Sequence, residues 1–269
     1  MSTVSGHGVV VREFGKISVE PLEFLPPGPG EVRVRVHACG LCQSDVASMT
    51  GKLGGNPLPF VLGHEGAGVI ESVGPSAAEH NFKVGDHVVL VFSKFCGKCE
   101  MCVRGSPHLC LRSTDDIMAR YKTTNLHRVK DSSGTLLHSM LGLGCMADYA
   151  IVSANAIVKI DRKISFDKAA LVGCGVTTGV GAVFNKAKVF PGATCCVIGC
   201  GGVGLNAIQG CRISGASQII AVDALPSKLE AAKSFGATHV INAKVTLELD
   251  LARVWIHSDV IGLDDDDKL

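Results

Sequence analysis

Two cysteines and a histidine, far apart in the 269-residue chain, carry donor atoms suited to a single metal ion. Cys42 lies in CGLCQSD (39–45), His64 in GHEGAG (63–68) and Cys174 in LVGCGVTTG (171–179). Thiolate sulfur and imidazole nitrogen are ligands that zinc favours, and three protein ligands leave a fourth position open, as a catalytic zinc requires. Asp45 and Glu65 follow closely on two of these ligands, where a carboxylate can orient them from behind. Taken alone, Cys42 and His64 fit better as a buried thiol and a satisfied core histidine. The rest of the chain reverses that balance.

Cys96, Cys99, Cys102 and Cys110 form a C-x2-C-x2-C-x7-C run, with Gly97 and Gly105 placed to let the loop fold back. Four thiolates so close together make a closed tetrahedral zinc site, which props up a lobe and takes no part in turnover. The bacterial iron–sulfur run has a shorter last gap and a proline after its fourth cysteine. Neither feature is present at Cys110, so zinc is favoured.

A third constellation begins at Cys195. CCVIG (195–199) reads as a short buried strand running into Gly199-Cys200-Gly201-Gly202-Val203-Gly204, with the helical pattern LNAIQGCRISGA behind it. QIIAVD (218–223) is the next strand, and LPSKLEAAKSFGA (225–237) and THVINA supply a helix and a third strand. A G-x-G-x-x-G between strand and helix, with an acid about twenty residues on, is a dinucleotide fingerprint. Here that acid is Asp223. The glycines let backbone N–H groups at the helix N-terminus reach a pyrophosphate. Asp223 would accept from the ribose hydroxyls and repel a 2′-phosphate, which favours NAD over NADP.

The elements that must position these residues are mostly strands at first. GVVVREF and ISVEPLEF are β-rich, PPGPG (26–30) is a turn, and Val32, Val34 and Val36 alternate with Arg33, Arg35 and His37 as in a strand with one wet face. VGDHVVLVF (84–92) is a further strand. Residues 111–141 read as loop, with His127 and His138 exposed or hydrogen-bonded. Residues 147–160 return to strand character, and 164–173 and 177–189 look helical. With 46% hydrophobic and 19% charged residues the chain is globular rather than disordered. Its formal charge of +1 provides no field for nucleic acid. No apolar run is long enough for a bilayer, and the N-terminus lacks the pattern of a secretory signal. Twelve cysteines without a signal imply thiols and metal sites in a reducing, cytoplasmic setting. Cys39, Cys145, Cys195, Cys196, Cys200 and Cys211, outside the metal sets, read as small core residues. Cys200, within the glycine turn, is expected to meet oxidants when no cofactor covers it.

In their order, CGLCQSD, GHEGAG, the four-cysteine run, LVGCGVTTG and GCGGVG resemble the motifs of the zinc-dependent medium-chain alcohol dehydrogenases. The resemblance runs from about residue 8 to about residue 244. It implies an α/β plus β architecture: a GroES-like β-barrel domain over 1–160 with its structural zinc lobe at 96–110, then the first half of a doubly wound Rossmann domain for NAD over 161–244. By the resemblance, Cys42, His64 and Cys174 are catalytic zinc ligands and Glu65 is an acid that can approach the metal. Ser44 is the hydroxyl that takes the substrate proton, Asp45 stands behind His64, and Phe92 lines the substrate pocket. Thr178 and Val203 lie against the nicotinamide, and Lys228 joins Asp223 at the ribose. Gly199, Gly201, Gly202 and Gly204 bind the dinucleotide. The implied activity is hydride transfer between a primary or secondary alcohol and NAD, with one catalytic and one structural zinc. The implied partner is a small alcohol or aldehyde, with no nucleic acid and no membrane.

Two departures stand out. The family often carries a proton-relaying histidine where this chain has Ala47. Past Lys244 the resemblance stops. Val245, Leu247, Leu249 and Leu251 alternate with polar residues as in one strand, which could cover a bare sheet edge. DDDDK (264–268) matches an engineered protease site or an acidic tail, and residues 245–269 are left out of functional inference. Three of about six doubly wound strands are expected, without those through which the family pairs its subunits. The expectation is therefore a C-terminally truncated member. It is either catalytically equipped or, alternatively, an inactive zinc-binding form serving as an interaction or regulatory form of a longer dehydrogenase.

Overall fold

A computed structural model describes residues 2–54, 57–77, 81–112 and 127–244. The chain divides into two compact units, residues 1–174 and 175–269. The first unit opens with the hairpin of β1 (Val4–Glu13) and β2 (Lys16–Phe24), followed by β3 (Glu31–Gly40) and helix α1 (Gln43–Met49). Then come β4 (Phe60–Val61), β5 (Glu65–Val73), β6 (His87–Leu90) and the short helix α2 (Glu100–Val103). β7 (Val129–Asp131), β8 (Leu136–Ser139), β9 (Tyr149–Ser153), β10 (Ile157–Lys159) and helix α3 (Phe166–Leu171) complete it. β1-β2-β7-β8-β4 close into a barrel, and β10-β6-β5-β3-β9 form a second sheet.

The second sheet carries the end of the unit where Cys42 and His64 lie. Val32 and Val34 of β3 pack with Ile70, Val88, Leu90 and Val152 from its other strands, each full burial contributing about 1.5–3 kcal/mol. β3 and β5 run antiparallel, with Gly40 opposite Glu65. That register brings the end of one strand beside the start of the other.

The alternation of valine with charge in β3 predicts a wet face, and the structure corrects this at Arg33. Its guanidinium is buried, with 4% of the residue exposed. It bonds to Glu71 at 2.6 Å and to the Ser2 carbonyl at 2.8 Å. The charge goes inside because Glu71 and a backbone acceptor satisfy it there. Arg35 and His37, further along, are exposed.

The polar stretch read as loop also holds structure. Residues 113–126 lie outside the described residues, but β7 and β8 form an antiparallel hairpin that helps close the barrel. Its turn is centred on Asp131, whose Oδ1 accepts from the Ser133 and Thr135 amides, both at 2.9 Å, while Oδ2 accepts from Arg12 at 2.7 Å. Ser133 first, then Arg12, hold this carboxyl well below the usual carboxylate range. His127 is buried and its ring lies edge-on to that of His138, with centroids 4.2 Å apart.

The second unit starts with helix α4 (Thr177–Gly181) and continues through β11 (Thr194–Ile198), helix α5 (Gly202–Ile213), β12 (Gln218–Asp223), helix α6 (Pro226–Phe235) and β13 (His239–Asn242). The three strands are parallel in the order β11-β12-β13. Their core joins Val197, Ile219 and Ala221 to Ile208 of α5 and Leu229 of α6. Pro226 opens α6 and Gly236, at φ 118°, ends it, the usual placing of these two residues. The strand expected over 245–251 lies outside the described residues.

Replacing Arg33 tests its buried role. Arg33→Ala should lower the stability of the first unit by about 2 kcal/mol, the scale of a lost hydrogen bond to a charged group. Arg33→Lys should recover part of that loss. Thermal unfolding followed by circular dichroism measures both, and an unchanged melting temperature for Arg33→Ala would contradict the reading.

Candidate metal and nucleotide sites

Cys42, His64, Glu65 and Cys174 each bring a donor atom to one place, all within 4.8 Å of one another. Cys42 is the residue that caps α1 at its N-terminus, just past the end of β3. His64 precedes β5 and follows Gly63, whose φ of 99° and whose contact with the Met146 backbone both exclude a side chain. Cys174 lies in a π-type turn, Val172–Val176, directly after α3. Such widened turns recur at functional sites because they redirect a side chain without ending the helix.

One carboxylate ties the two N-terminal donors together. Asp45 Oδ2 accepts from the Cys42 amide at 2.8 Å, and Oδ1 lies 3.1 Å from His64 Nδ1. The Asp45 and His64 side chains are both buried. With Nδ1 facing Asp45, the Nε2 nitrogen is the one free to serve as a donor. Sequence reading placed Asp45 behind His64 but missed its bond to the Cys42 amide. The available signal was an acid three residues after the capping position, the spacing of a capping box.

The electrostatics favour a cation among these groups. Cys174, then His64, with help from Ser44, draw the Cys42 thiol down to about 3. Burial opposes charge on His64, but Asp45 and Cys42 outweigh it and push the imidazole up to about 10. A thiolate therefore stands here against a proton that a metal could replace. Two sulfurs, an imidazole and a carboxylate form a donor set that suits zinc. The Phe92 ring stands edge-on to His64, with centroids 6.0 Å apart.

The second group, Cys96, Cys99, Cys102 and Cys110, also has its sulfurs within 4.8 Å of one another. The Cys99 amide donates to Cys96 Sγ and the Cys96 amide to Cys110 Sγ, both at 3.3 Å. The Cys102 amide leads in drawing Cys99 down to about 6, while desolvation and then Cys99 push Cys102 up to about 11. Thiolate ligands lose their protons when a cation binds, so a bound ion would draw these thiols down together.

In the second unit, the parallel pairing of β11 and β12 puts the glycine turn and Asp223 at the same end of the sheet. Gly201 caps α5 and Gly202 is its first residue. A side chain on Gly204 would strike the Gly199 carbonyl, so glycine is required where helix and turn approach. Asp223 Oδ2 accepts from the Cys200 amide at 2.8 Å and Oδ1 from the Leu225 amide at 2.9 Å, with Lys228 Nζ 3.9 Å away. Burial works against its charge, but these amides and Lys228 keep it ionised. Val203 stands in the first turn of α5, and its carbonyl lies against Gly179, the neighbour of Thr178. Cys200 does not meet solvent as expected. Only 1% of it is exposed, its sulfur faces the Val222 carbonyl at 3.6 Å, and burial raises its thiol.

Comparison with known proteins gives the family. The model of the alcohol dehydrogenase GroES-like domain matches residues 28–162, half of the chain, and that of zinc-binding dehydrogenases matches residues 202–255. The chain is a zinc-type alcohol dehydrogenase family member. The second match runs past Lys244, where sequence reading ended the resemblance. An alcohol dehydrogenase zinc-binding domain protein from Burkholderia ambifaria is 37% identical, with a TM-score of 0.84 over 93% of this chain and 66% of its own. Benzyl alcohol dehydrogenase from Acinetobacter calcoaceticus is also 37% identical, with a TM-score of 0.77 over 90% of this chain and 65% of its own. A short chain alcohol dehydrogenase from E. coli CFT073, solved with NADH, is 27% identical, with a TM-score of 0.69 over 90% and 64%. This chain thus spans about two thirds of the length of these relatives. Among the described residues, no helix is long and apolar enough to cross a membrane.

The low titration point of Cys42 has a direct chemical consequence. A group drawn down to about 3 is fully thiolate at every pH above that range. In metal-free protein, Cys42 should therefore react with iodoacetamide at a constant rate from about pH 8 to about pH 5. An ordinary thiol, near 8.5, slows roughly tenfold per pH unit over that interval. Peptide mass spectrometry of timed samples measures the rate, and a tenfold loss per unit at Cys42 would contradict the assignment.

Proposed function

We propose that this chain is an NAD- and zinc-dependent alcohol dehydrogenase that moves hydride between a primary or secondary alcohol and NAD. The observation that carries the proposal is the convergence of Cys42, His64 and Cys174, with Glu65, from separate elements onto one point. Cys42, His64 and Cys174 would hold the catalytic ion, and Glu65 is placed to approach it. Cys96, Cys99, Cys102 and Cys110 would hold a structural one. When bound, zinc supplies Lewis acidity toward an alcohol oxygen, and NAD supplies the hydride acceptor.

The chain's own residues do the remaining work. Ser44, beside Cys42 on the first turn of α1, takes the proton of the substrate alcohol. The residue at 47 is alanine, so that proton leaves by a route without a histidine at this position. Phe92 presents an apolar wall and keeps water from the reacting carbon. Asp45 fixes both Cys42 and His64. In the second unit, Gly199, Gly201, Gly202 and Gly204 admit the pyrophosphate to the helix N-terminus. Asp223 and Lys228 hold the ribose, and the Asp223 charge turns away a 2′-phosphate. Thr178 and Val203 support the nicotinamide. The partner is a small alcohol or aldehyde, and the setting is cytoplasmic.

Zinc-loaded protein given NAD and a panel of primary and secondary alcohols should form NADH, read at its absorbance band. Folded, zinc-loaded chain that makes no NADH with any of them would exclude the catalytic reading and leave the inactive zinc-binding form. Independently, Asp45→Asn should weaken zinc binding at the Cys42 site by about 10–100-fold, the usual effect of losing such a supporting carboxylate. Competition with a chromogenic chelator measures this, and an unchanged affinity would contradict the role of Asp45.

A further inference from the structure

Six cysteines belong to neither donor cluster, and among them Cys39 meets Cys145 across the sheet. Cys39 Sγ and Cys145 Sγ lie 3.6 Å apart, although 106 residues separate them in the chain. Cys39 stands near the end of β3, directly opposite Gly66 of β5. Cys145 packs onto Gly66 so closely that a β-carbon there would come within 2.9 Å of its sulfur. The missing side chain at 66 is what lets Cys145 reach across to Cys39. The Cys145 amide also donates to the Gly63 carbonyl at 3.1 Å. The pair thus sits inside the frame that carries the donors, three residues before Cys42 and beside the strand that follows His64.

We propose that Cys39 and Cys145 are a redox switch: a peroxide joins them in a reversible disulfide, and that bond deforms the frame of Cys42 and His64 and loosens its hold on zinc. A disulfide holds its sulfurs about 2.05 Å apart, so this pair must close by about 1.5 Å. Cys145 is fully buried against Gly66, so closure draws on the end of β3 and on the turn at Gly63. The thiolate of half-buried Cys39 attacks the peroxide. An S–O bond forms, the O–O bond breaks, and the departing hydroxide takes a proton to become water. The Cys145 thiol then attacks the resulting sulfenic sulfur. The S–S bond forms, the S–O bond breaks, and a second water leaves. Two thiols give up two protons and two electrons, and the peroxide accepts them. Burial, with Cys39 beside it, keeps the Cys145 thiol protonated well above the ordinary range, which assigns the first oxidation to Cys39. The loss of zinc rests on the proposed metal reading, whereas the disulfide does not.

The test treats zinc-loaded protein with near-stoichiometric hydrogen peroxide, blocks free thiols, digests without reductant and maps the peptides by mass spectrometry. The expected result is a peptide pair linked through Cys39 and Cys145 that dithiothreitol separates. Zinc affinity at the Cys42 site, read by chelator competition, should fall at least about tenfold, the scale of other disturbances behind metal ligands, and return on reduction. Cys39→Ser and Cys145→Ala should each remove the linked pair and make zinc affinity insensitive to peroxide. If one variant fails to fold, the other still decides. Links confined to the cysteines of 96–110, or sulfinic acid at Cys39 with Cys145 still open to alkylation, would overturn the disulfide. A linked pair with unchanged zinc affinity would overturn the switch and leave the metal reading standing. Protein that binds no zinc before any peroxide is added would overturn both the metal reading and the switch, leaving only the bond.

Discussion

The Asp45 carboxylate, buried without solvent, is the contact on which the meeting of Cys42 and His64 depends. An ion in that position is costly unless its lone pairs are satisfied. Here the Cys42 amide and His64 Nδ1 satisfy them. The bond to the Cys42 amide closes the cap of α1, and the contact with His64 fixes the distance between two chain segments and the orientation of the imidazole. The second contact requires the register that sets Gly40 opposite Glu65. A slip of one residue would turn alternate side chains to the wrong face of the sheet and part Asp45 from His64, while the local bond to the Cys42 amide would stay. Strand register, helix cap and donor geometry are therefore one constraint seen at three scales.

The two sulfur-bearing clusters differ in what that constraint leaves open. Cys96, Cys99, Cys102 and Cys110 come from one short stretch whose own amides bond to the sulfurs. Little outside the loop is needed to assemble them. The set around Cys42 draws on a strand end, a glycine turn and a π-type turn. It can exist only when the whole unit has folded. A closed set of four thiolates suits a supporting role, and a mixed set with a carboxylate at its edge suits exchange of ligands.

Much of this was legible in the sequence where geometry is local. The four-cysteine spacing, the glycine turn between β11 and α5, and Asp223 at the end of β12 each announce themselves within a few residues. The donor set of Cys42, His64 and Cys174 was legible through its motifs, because types and order survive even when separation in the chain is large. Features that depend on a distant partner were not legible. Arg33 alternates like a surface residue, and only Glu71 and Ser2 explain its burial. The β7–β8 hairpin hides in polar residues because Asp131, not apolar patterning, organises its turn. Cys200 sits in a motif that suggests access, yet packing behind the turn encloses it. The nearness of Cys39 to Cys145 follows from Gly66 across the strand pair, which no local pattern reveals.

The order of strands in the second sheet has a consequence for synthesis. β3 gains β5 on one edge soon after it is made, but its other edge pairs with β9, where Glu31 meets Ser153. A growing polypeptide that has released β5 and not yet Tyr149 carries a long strand with one open side, the kind of surface that recruits other chains or chaperones. Cys174 is the last residue of the unit, so the full donor set exists only once the ribosome has moved beyond it.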